Sequence, residues 1–275
     1  MAYELFHKFN SNLKIEKNFM NVKKLSFFEK LSFIFRKYYS IGFNKRKIKY
    51  LGDEFYYDNR FIPAMLQMYP AEIEQIGKYI ELKKIENVLD IGANIGQFAR
   101  TLNHYSPISK IYSFEPNKEI FPYLVRNALG KNIVCLNFGV GLKNEKKKFY
   151  FSPEASAEGT SMIENRNQIY ERSGYKEIDI EVIKLDKKML RKYELPFHFD
   201  LVKIDVEGSE AEVLKSLKEI SFRYLQIEVS LRRKGSTFDD IKKIINDNWK
   251  KDIRVLYEEN VDINSPAKNV LIELI

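Results

Sequence analysis

The sequence predicts an α/β protein with an open, mostly parallel sheet and helices on both faces. Three stretches carry that reading. Asn87 to Ile91 is a short apolar run that ends in the turn Gly92-Ala93-Asn94-Ile95-Gly96. It passes directly into a helical pattern with Phe98, Ala99 and Leu102 on the apolar side. Lys110 to Phe114 reads as a second strand, ending in Glu115-Pro116-Asn117, and Phe199 to Ile204 as a later buried strand, ending in Asp205-Val206-Glu207-Gly208. A strand, a glycine turn and a helix form a nucleotide-cofactor cradle, with the ligand beyond the carboxyl ends of the strands.

The spacing excludes the commonest cradles. A dinucleotide fingerprint needs G-x-G-x-x-G, and a P-loop needs a Lys at the helix start. Here the turn reads Asp90-Ile91-Gly92-Ala93-Asn94-Ile95-Gly96 and offers a pyrophosphate no cation. This spelling resembles the first motif of class I methyltransferases that use S-adenosylmethionine. Glu115 follows Asp90 by 25 residues. An acid at the tip of strand two is placed to accept hydrogen bonds from ribose hydroxyls.

The other elements follow in order. In Met1 to Tyr50, 12 basic and 3 acidic residues give a charge of +9, whereas the remaining 225 residues carry −1. The segment is also aromatic, with Phe27, Phe28, Phe33, Phe35, Tyr38, Tyr39 and Phe43 interleaved with cations. Leu25 to Tyr39 suits a helix, but apolar residues cover too much of its circumference for a clean stripe. No apolar run suits a membrane span or a signal peptide. Four readings stay open for the segment: an arm packed on the domain or on a second subunit, peripheral contact with an anionic membrane, a site for an anionic nucleotide-linked sugar, or nucleic acid. The last has no recognition module beside the charge. Leu51 to Leu82 then holds a helix begun by Arg60-Phe61-Ile62-Pro63 and another over Ala71 to Leu82. Tyr56, Tyr57 and Arg60 are candidates for lid or substrate contacts, against a purely structural cap.

Lys118 to Leu129 is expected as a helix, and Ile133 to Leu136 as the third strand, with the lone Cys135 as a small buried hydrophobe. One cysteine allows no intrachain disulfide and suits a reducing, cytoplasmic compartment. Asn137 to Gly141 meets the adenine edge, with Phe138 or Val140 beside the ring. Lys143 to Phe151 pairs as a hairpin with the stretch around Ile178 to Ile183. The long polar stretch Ser152 to Tyr175 between them is either a substrate lid or a surface excursion. Ser209 suits the N-cap of a helix starting at Glu210. Tyr224 to Val229 is a strand, Thr237 to Asn248 a helix, and Ile253 to Tyr257 and Val270 to Ile275 the last two strands.

Asp205, Glu207 and Glu228 stand near the tips of adjacent strands. Three acids there bind a divalent cation such as magnesium through Asp205 and Glu228, orient a sugar hydroxyl, or act as a base. Alternatively Glu207 only closes the turn and a single acid faces the pocket. Asp205 is the first choice as base or metal ligand, with Glu228 or Glu207 as its partner, and His198, before the strand, is a weaker base candidate.

The strings Asp90 to Gly96, Phe114-Glu115-Pro116-Asn117 and Lys203-Ile204-Asp205-Val206-Glu207-Gly208-Ser209-Glu210 together resemble the FkbM-type methyltransferases, from about Asn87 to Glu228. The resemblance implies a class I, Rossmann-like fold with a seven-stranded, mostly parallel sheet and S-adenosylmethionine as cofactor. It implies that Asp90, Gly92, Asn94 and Gly96 line the cofactor, that Glu115 binds its ribose, and that Asp205 stands at the reaction edge. The acceptor it implies is a hydroxyl of a sugar, in a nucleotide-linked precursor or a bacterial surface glycan, or of a polyketide or other secondary metabolite. The runner-up is a non-catalytic cofactor-binding or membrane-associated protein. Residues 1–84 are expected as a basic, aromatic cap and residues 85–275 as the methyltransferase domain.

Overall fold

Asn87–Ile91 (β3) lies at the centre of the sheet, and its apolar residues are buried on both faces. The computed structural model describes residues 15–57, 63–151, 176–231, 235–261 and 267–275. β3 pairs in parallel with Lys110–Phe114 (β4) on one side and His198–Ile204 (β9) on the other. Ile133–Leu136 (β5) and Ser221–Ser230 (β10) extend the parallel pairing outwards. The hairpin Ile253–Glu258 (β11) and Ala267–Leu274 (β12) completes the sheet, with β12 inserted antiparallel beside β10. The strand order is β11-β12-β10-β9-β3-β4-β5. This is the seven-stranded class I arrangement.

Side chains alternate between the two faces along each strand. Leu89, Ile91, Tyr112, Phe114, Val202 and Ile204 enter the larger core. Val88, Ile111, Leu201 and Tyr224 enter the other, beneath helices α2 (Met68–Ile76) and α3 (Gln97–Tyr105). One step towards the carboxyl ends, this second face turns polar. Cys135, Ser113, Asp90, Lys203 and Gln226 are register partners across five strands. Burial, with Asp90 adding to it, pushes the Cys135 thiol up to about 11. It is partly buried, as a small side chain packed at the sheet.

The N-terminal segment packs on the domain. Helix α1 (Phe27–Gly42) starts in a capping box: Glu29 N donates to Ser26 Oγ and Ser26 N to the Glu29 carboxylate. The hairpin β1 (Lys47–Tyr50) and β2 (Asp53–Tyr56) follows. Phe19, Phe33, Tyr50, Phe55 and Leu66 form a separate cluster with Ile95 and Ile120 of the domain. The Tyr50 hydroxyl hydrogen-bonds Thr101 Oγ1 at 2.7 Å. Asn127 accepts from Tyr56 N and donates to the carbonyls of Tyr56 and Ile95.

Three local expectations shift. The helix expected over 71–82 runs over Met68–Ile76 after a 3-10 turn at Pro63–Gln67. Pro70 is accommodated in its first turn, where no intrahelical donor is lost. The helix expected from Lys118 starts at Phe121 (α4, Phe121–Ala128), with a proline in its first turn. Ser209 is the N-cap of Glu210–Ser216 (α6), but its side chain makes no capping bond. The Glu210 carboxylate caps instead, accepting from Gly208 N at 2.7 Å and Val206 N at 3.3 Å. The expected hairpin forms between β7 (Glu145–Phe151) and β8 (Lys176–Ile183), with β6 (Gly139–Val140) on the other edge of β8. The stretch 152–175 and Arg60 lie outside the described residues, as do Arg232, Arg233 and Lys234, which follow the Tyr224 to Val229 strand in sequence and read as either contacts to an anionic substrate group or plain surface.

Candidate cofactor and acceptor site

The glycine turn is held in place by its neighbours. Gly92 N and Ala93 N both donate to Phe114 O at the tip of β4, at 3.0 and 2.9 Å. Asp205 N donates to Ile91 O at 3.0 Å, so the tips of β3 and β9 are tied as well. Gly92 has φ +85, and a Cβ there would lie 1.8 Å from Asp205 O. Asn94 takes φ 51, which an Asn side chain tolerates, and its Oδ1 accepts from Ile95 N at 2.8 Å. Gly96, at φ +89, precedes α3 without a side-chain cap.

Beyond these tips lies a cavity of about 460 Å³. Its walls bring together Gly92, Asn94, Glu115 and Phe138 with Asp205, Glu207 and Glu228. Asp90 and Gly96 lie behind the wall. Glu115 Oε2 accepts from Asn94 N at 2.9 Å, and Oε1 from Asn117 N at 2.8 Å. Burial pushes Glu115 up to about 7, against those two backbone hydrogen bonds. Asp90 is buried and pushed up to about 6. It accepts from Ser113 Oγ at 3.2 Å through Oδ2, while Oδ1 has no hydrogen-bond partner.

On the far wall, Lys203 Nζ lies 2.8 Å from Asp205 Oδ2. Burial alone would lower the Lys203 ammonium, but Asp205, Asp90 and Glu72 outweigh it and hold it above its ordinary value. Glu228 is pushed up to about 7 by burial and by the nearby Asp205 and Glu210. Glu207 holds a left-handed φ of 55, followed by Gly208 at 112, a strained corner at the cavity edge.

Glu72, Lys203 and Asn269 also line the cavity, and none of them was singled out from sequence for a role. Glu72 comes from α2 and accepts a hydrogen bond from Gln226 Nε2. Burial pushes it up to about 7. Its only sequence signal is an acid among the apolar positions of a helix preceding the first strand.

Other expected contacts lie elsewhere. Tyr57 is buried in the N-terminal cluster, so its ring serves the core and does not line the cavity. The Tyr56 hydroxyl donates to Glu54 and its ring stacks under the Arg126 guanidinium at 3.6 Å, again off the cavity. His198 begins β9 and hydrogen-bonds Ser221 Oγ at 2.9 Å, at the opposite end of the strand from Asp205. The divalent cation expected at Asp205 and Glu228 finds no suitable ligand set. The Asp205 carboxylate already holds the Lys203 ammonium, and among the described residues no group of three or more His, Cys, Asp or Glu can hold a metal.

These carboxyls make stability depend on pH. Glu72, Asp90, Glu115 and Glu228 are all raised, so the folded ligand-free protein binds more protons than the unfolded chain between about pH 4 and 7. Stability therefore falls as pH rises through that window. Burial lowers His104, which acts with the opposite sign but is a single group. Carboxylates held low by ion pairs, such as Glu273, act with the opposite sign only at the bottom of the window, near their ordinary value, and are ionised in both states by pH 5.5. The ligand-free protein is expected to melt several degrees higher at pH 5.5 than at pH 7.5. Scanning calorimetry at the two pH values checks this, and the reverse order would contradict it.

The topology and the cavity at the strand tips define a Rossmann-like class I methyltransferase fold. The chain belongs to the methyltransferase FkbM domain family, whose sequence profile matches residues 90–251. Methyltransferase sdnD of Sordaria araneosa is 29% identical over 157 residues, covering 48% of this chain and 60% of that protein. Hexuronic acid methyltransferase AglP of Haloferax volcanii is 28% identical over 174 residues, covering 61% of this chain and 66% of that protein. The chain thus spans less than two thirds of the length of these two relatives. The solved magnesium protoporphyrin IX methyltransferase from Synechocystis PCC 6803, with bound SAM, has a TM-score of 0.46 at 12% identity, over 87% of this chain and 95% of that one.

Proposed function

We propose that the protein is an S-adenosylmethionine-dependent O-methyltransferase acting on a sugar hydroxyl. The observation that carries this is one cavity with a glycine turn and Glu115 on one wall and Asp205, Glu207 and Glu228 on another. The residues suit the cofactor. Each Glu115 oxygen keeps acceptor capacity beyond its one backbone donor and would take ribose hydroxyls. Phe138 offers a flat apolar wall for the adenine. S-adenosylmethionine, when bound, supplies an electrophilic methyl group on a sulfonium.

The chain's own groups would prepare the acceptor. A neutral alcohol is a poor nucleophile, so its hydroxyl proton must leave as the oxygen attacks. Glu228 takes that proton in this reading. Asp205, its charge balanced by Lys203, orients the hydroxyl. Glu72 and Asn269, on the same cavity, accept and donate hydrogen bonds to neighbouring hydroxyls of a polyol. Holding the oxygen in line with the methyl group and excluding water supplies most of the remaining rate. The carbohydrate class is supported by the hexuronic acid relative and by the density of hydrogen-bonding side chains in the acceptor wall. In this reading residues 1–84 are the cap, which contributes Glu72, residues 85–275 are the methyltransferase domain, and the compartment is the cytoplasm.

A screen with radiolabelled methyl donor over nucleotide sugars and extracted bacterial glycans tests the proposal. Label on a sugar oxygen is the expected result. Label only on a protein, a nucleic acid, a phenol or a polyketide would overturn the substrate class. Cofactor binding with no transfer to any acceptor would favour a non-catalytic role.

A further inference from the structure

Helix α1 is inverted relative to an ordinary surface helix. Its buried side carries Lys30, Phe33, Lys37 and Ser40. The Lys30 ammonium donates to Met20 O at 2.9 Å, and that of Lys37 to Gln67 Oε1 at 3.0 Å and to Glu16. The outward side is apolar. Phe28, Leu31, Phe35, Tyr38 and Tyr39, spaced as one helical stripe, are all exposed, Phe28 by 80% and Phe35 by 73%. Phe27 and Phe43 extend the stripe at its two ends. Such a stripe costs solvation free energy in water and signals a partner.

The charge around it selects the partner. Lys17, Lys23, Lys45, Arg46 and Lys49 are exposed nearby in sequence. The two acids between residues 15 and 50 are both engaged, Glu16 with Lys37 and Tyr38, and Glu29 in the helix cap. A second cavity, of about 340 Å³, opens between α1 and the β1–β2 hairpin, with Phe19 and Phe33 in its wall together with Arg36, Lys49 and the helix-capping Glu29. Two copies meeting through this face would bring like charges together. Among the described residues no helix is long and apolar enough to cross a membrane. An aromatic stripe rimmed by cations suits the boundary of an anionic bilayer.

We propose that α1 docks the protein on an anionic lipid surface. Phe28 and Phe35 enter the headgroup boundary, and Arg36 and Lys49 face a lipid phosphate. The inference stands apart from the methyl-transfer reading, and deepens it by favouring an acceptor held at a membrane. The arm is firmly joined to the domain, because its cluster includes Ile95 of the glycine turn and Ile120 of the cavity wall.

The test is flotation of the full chain with vesicles of phosphatidylcholine alone and with one quarter phosphatidylglycerol. Binding to the anionic vesicles is expected, weakened by salt. The double variant Phe28→Ser, Phe35→Ser should bind at least about tenfold more weakly, since affinity follows the apolar area inserted. It should keep its melting temperature, because both rings are exposed, and its affinity for S-adenosylmethionine. Absence of binding to the anionic vesicles, or unchanged binding by the folded double variant, would overturn the proposal. So would a dimer in sedimentation velocity that the same variant dissolves, which would assign the stripe to self-association.

Discussion

Replacing Gly92 with alanine is expected to lower the unfolding free energy by about 3–5 kcal/mol, at the upper end for single substitutions. Two independent causes act at this position. The backbone sits at φ +85, which an L side chain resists. The new methyl would also lie 1.8 Å from the Asp205 carbonyl oxygen, so a backbone must move. That backbone is the tip of β9, joined to β3 by the Asp205 N to Ile91 O bond. The damage thus spreads from the turn to the acceptor wall. Gly42→Ala is the control: nothing lies within 4 Å of its added Cβ and its φ is not left-handed. It should stay within about 1 kcal/mol of the parent. Urea denaturation of the two variants separates them, and equal midpoints would contradict the geometry.

Glu228→Gln should lower kcat by about 10²- to 10⁴-fold, the range for a general base. A glutamine fills the same volume but cannot take a proton. The raised carboxyl of Glu228 sets the pH profile. Burial together with Asp205 and Glu210 pushes it up to about 7. Below that value it is protonated and cannot serve as a base, so kcat/KM should climb with pH to about 7 and then level. The variant should retain its affinity for the cofactor, and its acid limb should flatten to what Glu72 and Glu115, also pushed up to about 7, contribute. Asp205→Asn should also lose activity but keep an acid limb, moved below pH 7, because Asp205 orients the hydroxyl in this reading and its charge no longer raises Glu228. Full turnover by Glu228→Gln would remove Glu228 from the mechanism.

The sheet was legible because each strand obeys local rules. β3, β4 and β5 carry short apolar runs with a turn residue at one end, and their bounds in the structure are those read from sequence. The order of motifs then placed the cavity above their tips, with Glu115, Asp205, Glu207 and Glu228 on its wall. Burial in the third dimension was not legible. The pair Tyr56 and Tyr57 read as a mixed patch near a lid, yet an antiparallel hairpin turned Tyr57 into the core of the N-terminal cluster. Glu72 falls within the helix expected from sequence, but only the packing of α2 across α3 brings it to the cavity. The pairing of Lys203 with Asp205 depends on a close approach within one strand end. The outward aromatic stripe of α1 was visible as excess apolar circumference, but only packing shows which residues face out.

Titration calorimetry with S-adenosylmethionine, its demethylated product, NAD and ATP, on the parent and on Glu115→Ala, tests the central claim most directly. The first two ligands should bind at one site per chain, with no comparable binding of NAD or ATP. Glu115→Ala should weaken S-adenosylmethionine by about 30-fold or more, since it removes the ribose acceptor and leaves the N–H groups of Asn94 and Asn117 unpaired. Tight binding of NAD with none of S-adenosylmethionine, or full affinity in Glu115→Ala, would contradict the account.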